Sequence, residues 1–295
     1  MCRINPRVDF AFKKLFGCEE NKDLLISLLN AILSEEPPIV EVILKNPYNL
    51  ADYKAGKLSI MDIKAQDNQG RWFNVEIQIN EDLDFDKRAL YYWAKLVTEQ
   101  LSEGTMFKKL QKTFSINILN FTFVPNENFH NCYKIINTAT GKDDKLHDVF
   151  ELHYLELRKF KHDLNHLSNA LDRWMTFLTR AHELDKNRLP PDLSADPAIV
   201  KAVRAVDRLF DEDDRLIYDV RLQTIATIES QIASALEKGL RKGLEQGIEQ
   251  GIEQGRLASV RAIARSLLDI LDAPTIAART GLSVEEVDAM KNDTL

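Results

Sequence analysis

Cysteine is scarce in this chain: Cys2, Cys18 and Cys132 are the three in 295 residues. They are odd in number and not at metal-ligand spacing, which points away from a disulfide framework or a zinc site and toward reduced thiols. Long apolar runs are missing as well. No stretch approaches the roughly 18 uninterrupted apolar residues of a membrane span. The opening MCRINPRVDFAFKK lacks the apolar core of a signal peptide, so the expected location is the cytoplasm. A basic excess is also absent. The net charge of −7 excludes a protein that coats nucleic acid through its overall field, while leaving room for a local basic groove. There is no glycine-rich phosphate loop and no nucleophile elbow. His162 and His166 stand at helical metal-ligand spacing without the Glu of HExxH, and read as surface histidines.

What is present is enough apolar material, 44%, for a full core and two domains. Its clearest pattern is Leu58 to Ile79, LSIMDIKAQDNQGRWFNVEIQI, two alternating runs around a glycine-containing turn. A three-residue loop, Asn68, Gln69 and Gly70, with Gly70 left-handed, pairs Asp67 with Arg71. The ladder then continues Ala65 with Phe73, Ile63 with Val75 and Met61 with Ile77. The apolar faces coincide, and Asp62 falls opposite Glu76, with β-carbons roughly 5 Å apart, where like charges oppose pairing. A divalent cation is the simplest remedy, and oxygen ligands at this spacing suit Mg²⁺ or Mn²⁺ better than zinc. Gln78 and Lys64 flank the pair.

Before the hairpin, helices are expected over 8–15 and 21–33, and a strand over 39–44. Asp9 and Lys13, four apart, read from spacing as an ordinary exposed ion pair. After it, 84–101 is helical with Asp84 as N-cap. Leu90, Trp93, Ala94, Val97 and Leu101 form its apolar stripe, and Arg88, Tyr92, Lys95 and Glu99 another flank. Arg88 and Tyr92 suit either a phosphate or a surface cap. Strands follow over 113–124, the most apolar and suited to the sheet interior, and over 133–137 and 150–157. The order is that of an α/β core. From about 165 the pattern is helical, with Trp174, Phe177 and Leu178 on a buried face, a proline-containing linker over 188–197 and another helix over 198–210. Asp211 to Asp214 reads as a solvated turn or helix start rather than a calcium loop.

In EKGLRKGLEQGIEQGIEQGR, glycine recurs every four residues from Gly239 to Gly255, as do Leu236, Leu240, Leu244, Ile248 and Ile252. Each glycine costs a helix about 1 kcal/mol relative to alanine. Either a partner helix approaches this stripe, giving self-association, or it is a frayed linker. The tail, IAARTGLSVEEV, has helix-turn-helix spacing. Its expected reader helix carries Glu285, Glu286 and Asp288, which points to a packing or oligomerisation unit more than to DNA reading.

In order along the chain, DFAFKKLFG, SIMDIKA, FNVEIQI, KRALYYWAKLVTEQL, SINIL and HYLELRKF resemble the Rpn group of recombination-promoting nucleases and transposases, within the PD-(D/E)xK nuclease superfamily. The likeness covers residues 1 to between 180 and 240, and the GxEQ array and helical tail also fit. It implies a restriction-endonuclease-like α/β core, a mixed central sheet flanked by helices, over 1–185. A helical region over 186–256 and a small helical tail over 257–295 follow. The implied activity is Mg²⁺-dependent DNA endonuclease, with Mn²⁺ as an alternative metal, linked to recombination or mobile elements. The rival expectation is a catalytically inactive nuclease-fold protein that binds DNA or regulates. By resemblance, Asp62, Glu76 and the carbonyl of Ile77 hold the metal, Asp9 is the accessory acid, and Gln78 stands where many members carry a lysine. Lys64 is a candidate stand-in for that lysine. Lys13, Arg88 and Tyr92 are candidate DNA contacts, and the chain is expected to form a homo-oligomer through its C-terminal helices.

Overall fold

The computed structural model describes residues 4–45, 62–144, 146, 148–164 and 166–292. The first residues of the hairpin, Leu58 to Met61, and with them the Met61–Ile77 pair, lie outside these. Two compact units divide the chain, Met1–Ala226 and Thr227–Leu295.

The first unit is built on a six-stranded mixed sheet in the order β1-β2-β3-β4-β6-β5. The strands are β1 (Val42–Leu44), β2 (Ile63–Asp67), β3 (Trp72–Gln78), β4 (Thr113–Leu119), β5 (His130–Lys134) and β6 (Phe150–Glu156). β4 runs parallel to both of its neighbours, β3 and β6, and each of its residues is buried, as its apolar content predicts. The other pairings are antiparallel.

One sheet face carries Phe73, Val75, Ile77, Phe114, Ile116 and Ile118 into the main core. The rings of Phe73 and Phe114 stack across the β3–β4 pair with centroids 5.2 Å apart. Covering this face are α1 (Asp9–Phe16), α2 (Lys22–Ile32), α4 (Ala170–Arg180) and α6 (Pro197–Arg208), with the short α5 (Pro191–Ser194) between the last two. Trp174 and Phe177 are fully buried as expected, and the Trp174 indole N–H donates to Ser27 Oγ at 3.1 Å. The opposite face is covered by α3 (Phe85–Thr98), whose Phe85 and Ala89 pack with Leu119, Phe121, Leu152 and Tyr154.

Four expectations are corrected here. The buried line of α3 is Phe85, Ala89 and Leu96, while Leu90 is 51% exposed, because the sheet face beneath is partly polar and draws the Arg88–Tyr92 flank inward. Asp84 occupies the N-cap position, but its carboxylate binds Lys87 instead of capping. The strand expected over 133–137 is His130–Lys134; the exposed apolar residues Tyr133, Ile135 and Ile136 mislead the pattern at a half-solvated edge. β1 starts late for a different reason. The Asn30 amide brackets Ile39, accepting from its N–H and donating to its carbonyl at 2.8 Å each, and so satisfies the backbone that a ladder would have used.

The helix α7 (Glu212–Leu267) opens with reciprocal Asp211 and Asp214 side-chain to N–H bonds of 2.9 and 3.1 Å. Asp214 is not solvated: it is fully buried and paired with Lys14. In the second unit, Leu236, Leu240, Leu244, Ile248 and Ile252 are 55–73% exposed, and open space surrounds each glycine of the array. α8 (Ala273–Thr280) and α9 (Val284–Asn292) close the chain around Ile276, Leu282 and Val287, with Gly281 left-handed at φ +79°. Ser283 and Glu286 exchange side-chain to N–H bonds of 3.1 and 2.9 Å, a capping box. Among the described residues, no helix is long and apolar enough to cross a membrane.

Candidate active site

The site begins at the turn. Gly70 takes φ +86°, in the left-handed region that glycine enters without strain. Asp67 closes the loop: its N–H donates to the Arg71 carbonyl at 3.0 Å. Its carboxylate accepts from the N–H groups of Gln69 and Arg71 and from Arg71 Nε at 3.0, 2.8 and 2.6 Å. This fixes Ala65 opposite Phe73 and Ile63 opposite Val75, the register read from the sequence. One step further, where β2 has given way to a bend, Asp62 meets Glu76. The Asp62 N–H donates to Glu76 Oε1 at 3.1 Å, and the Ile77 N–H donates to Asp62 Oδ2 at 2.9 Å.

Two carboxylates are thereby held together where little solvent reaches. Glu76 is 7% exposed. Burial raises both carboxyls above their ordinary range, and for Glu76 the Asp62 charge adds to the rise. The nearest relief comes from α1. Lys13, buried rather than exposed, sets its ammonium 3.1 Å from Asp62 Oδ1. Asp9, one turn earlier, is close enough for its charge to oppose ionisation of Asp62. Spacing alone pairs Asp9 with Lys13 on a solvated surface; the fold turns this face of α1 toward the hairpin.

The remaining residues divide. Gln78 Oε1 accepts from Arg88 Nη2 at 2.8 Å, its Nε2 donates to the Asn80 carbonyl at 3.2 Å, and Arg88 Nη1 reaches Asp82 at 2.7 Å. The hairpin and α3 are therefore joined at the rim of the site. Tyr92, on the same flank, has its hydroxyl pushed up by burial and, after that, by the Glu76 charge. Lys64 turns to Glu99 and lies 5.3 Å from the Trp72 ring centre. Sequence reasoning missed a polar strip under α3: Asn74, Ser115 and Asn117 are fully buried, and Asn117 Nδ2 donates to Ser115 Oγ at 3.2 Å and to the His153 carbonyl at 3.1 Å. Its signal is the alternation of TFSINIL, which reads as purely apolar only if Ser115 and Asn117 are overlooked.

The donor set fits a hard divalent cation. It offers the carboxylate oxygens of Asp62 and Glu76, and two mutually repelling acids that share the Lys13 ammonium leave negative charge to neutralise. Neither curated proteins nor solved structures give a match to the chain. A family model described as PD-(D/E)XK nuclease family transposase matches residues 6–235, a span that takes in α1, the Asp62–Glu76 hairpin and α3. With most of its length matched and a mixed sheet carrying an acid pair at a β-hairpin, the chain belongs to the PD-(D/E)XK nuclease family transposases.

Proposed function

We propose that this protein is a Mg²⁺-dependent DNA endonuclease, acting in the cytoplasm in recombination or mobile-element biology. The observation that carries this reading is the enforced meeting of Asp62 and Glu76, with Lys13 3.1 Å from Asp62. Asp62, Glu76 and the Ile77 carbonyl would hold the cation. When bound, it supplies an acidified water and charge stabilisation at the scissile phosphate.

The chain's own residues do the rest. Lys13 is the group that orients the attacking water, since its ammonium already sits on Asp62 while Gln78 is engaged by Arg88 and Lys64 by Glu99. Asp9 adds a third carboxyl on the α1 side, close enough for its charge to act on Asp62. Arg88 and Tyr92 line the approach from α3, the guanidinium anchoring a phosphate oxygen and the phenol positioning the strand. The uncovered Leu236 to Ile252 stripe supports association with a second copy. Light scattering checks this: truncation before Ala235 lowers the number of chains per particle if the stripe is the interface, and an unchanged number counts against it.

Plasmid nicking in Mg²⁺ or Mn²⁺, for wild type beside Asp62→Ala and Glu76→Ala, tests the activity. Metal-dependent cutting lost in both variants supports the reading. Cutting that survives both overturns the site, and a folded wild type that binds DNA without cutting it supports a binding or regulatory role instead.

A further inference from the structure

At the other edge of the sheet, β5 pairs with β6 so that Cys132 lies opposite His153 and Lys134 opposite Glu151. Because strand side chains alternate, His130, Cys132 and Lys134 share one face of β5, and Glu151 and His153 present the matching face of β6. Cys132 Sγ is 3.7 Å from Glu151 Oε1 and 3.9 Å from His153 Nε2, and His153 Nε2 is 3.0 Å from Glu151 Oε1. A tetrahedral zinc ion, with bonds of about 2.0–2.3 Å, holds its donor atoms roughly 3.3–3.6 Å apart. The three atoms thus form a triangle of zinc-ligand dimensions within a few tenths of an ångström.

We propose that Cys132, Glu151 and His153 form a zinc site, separate from the Asp62–Glu76 pair and independent of whether the chain cuts DNA. Two further features are those of a metal site. His130 Nε2 lies 2.9 Å from His153 Nδ1, an outer bond that fixes the imidazole and leaves Nε2 facing the thiol. Lys112 and Lys134 hold Glu151 Oε2 at 2.9 and 3.4 Å, which aims Oε1 at Cys132 and His153. Sulfur, nitrogen and oxygen together select a borderline-soft ion over Mg²⁺.

Glu151 and His153 are buried, whereas Cys132 opens to a cavity of about 670 Å³ that Glu35 and Glu36 also line. The fourth coordination position therefore faces water. Charge permits a cation: in the network that reaches the thiol, the carboxylates of Glu35, Glu36, Asp148 and Glu151 outnumber the cations of Lys112, Lys134 and Arg71. Binding converts the thiol to thiolate, and its proton passes to the buffer. The cysteine spacing gives no hint of this, because the ligands come from two strands whose register only the fold sets.

The test uses the full-length chain with Mg²⁺ in excess, titrated with Co²⁺ and separately dialysed against Zn²⁺. The expected result is one zinc per chain and a thiolate-to-cobalt charge-transfer band, both lost in Cys132→Ala and in the size-matched Cys132→Ser, and both retained in Glu76→Ala. His130→Gln keeps the band and weakens binding about 10- to 100-fold. Absence of the band in wild type overturns the proposal. So does a band that persists in Cys132→Ala, which would assign the thiolate to Cys2 or Cys18.

Discussion

Glu76 and Glu151 are the same residue type, on strands of the same sheet, and 7% and 3% exposed. Yet burial and Asp62 push the Glu76 carboxyl up, whereas the Glu151 carboxyl is held down at about 2 against the cost of its own burial. The difference lies in what surrounds them. Glu151 meets His153 and the ammonium groups of Lys112 and Lys134; Glu76 meets a second carboxylate and shares Lys13 with it. Burial alone therefore does not decide the charge state of a carboxyl: the balance of neighbouring charges does. One glutamate has cationic partners within the fold, and the other is left beside a like charge with one shared ammonium.

The strongest way to break this contrast is to remove each acid. Asp62→Ala or Glu76→Ala should lower Mg²⁺-dependent plasmid nicking about 10³-fold or more, and an equal fall in Glu151→Gln would erase the distinction. Next, Lys112→Met should move Glu151 toward the condition of Glu76. It removes the nearer ammonium from a carboxylate that is 3% exposed and leaves it with Lys134 and His153, at a cost of about 1–3 kcal/mol in urea unfolding. A smaller effect is expected of Lys13→Gln: nicking falls about 10- to 100-fold, with metal binding kept.

The pH dependence of stability separates the two glutamates by sign. Glu151, depressed from 4.5 to about 2, contributes stability that is present above pH 4.5 and is lost as pH falls toward 2. Glu76, raised above 4.5, contributes stability that is present below 4.5 and is lost as pH rises through its folded-state value. Metal-free Glu76→Gln should therefore be more stable than wild type near neutral pH. Added Mg²⁺ should stabilise wild type alone, as read by thermal unfolding. The smallest effect is Gly70→Ala, about 1–2 kcal/mol for a non-glycine residue at φ +86°.

The same contrast explains what the chain makes legible. The β2–β3 register follows from a three-residue loop and two alternating runs, so the meeting of Asp62 and Glu76 can be read from the amino-acid sequence. β5 and β6 are joined through residues 135–149, where the turn closed by Asn137 and Lys142, with Gly141 left-handed, is separated from β6 by residues 143–149 and does not set the register, so the pairing of Cys132 with His153 cannot. The helices that bury Trp174, Phe177 and Leu178 announce themselves by period. The partners of Lys13 and Asp214 do not. Each pair, Lys13–Asp62 and Lys14–Asp214, spans a separation that only the packing of α1 closes, and adjacent lysines on one helix reach two different acids.

The sheet's two edges also bear on how the protein behaves in a crowded solution. β1 has three residues, and β5 has five with Lys134 at its end. Among the described residues the β1 edge offers little template for strand addition, whereas the β5 edge carries the exposed Tyr133 and is flanked by the exposed Ile135 and Ile136, with Lys134 as its one blocking charge. The leucine and isoleucine stripe of α7 is a second exposed apolar surface, on a helix instead of a strand. The two surfaces call for different partners: a strand edge is met by backbone pairing, a helical stripe by side-chain packing alone.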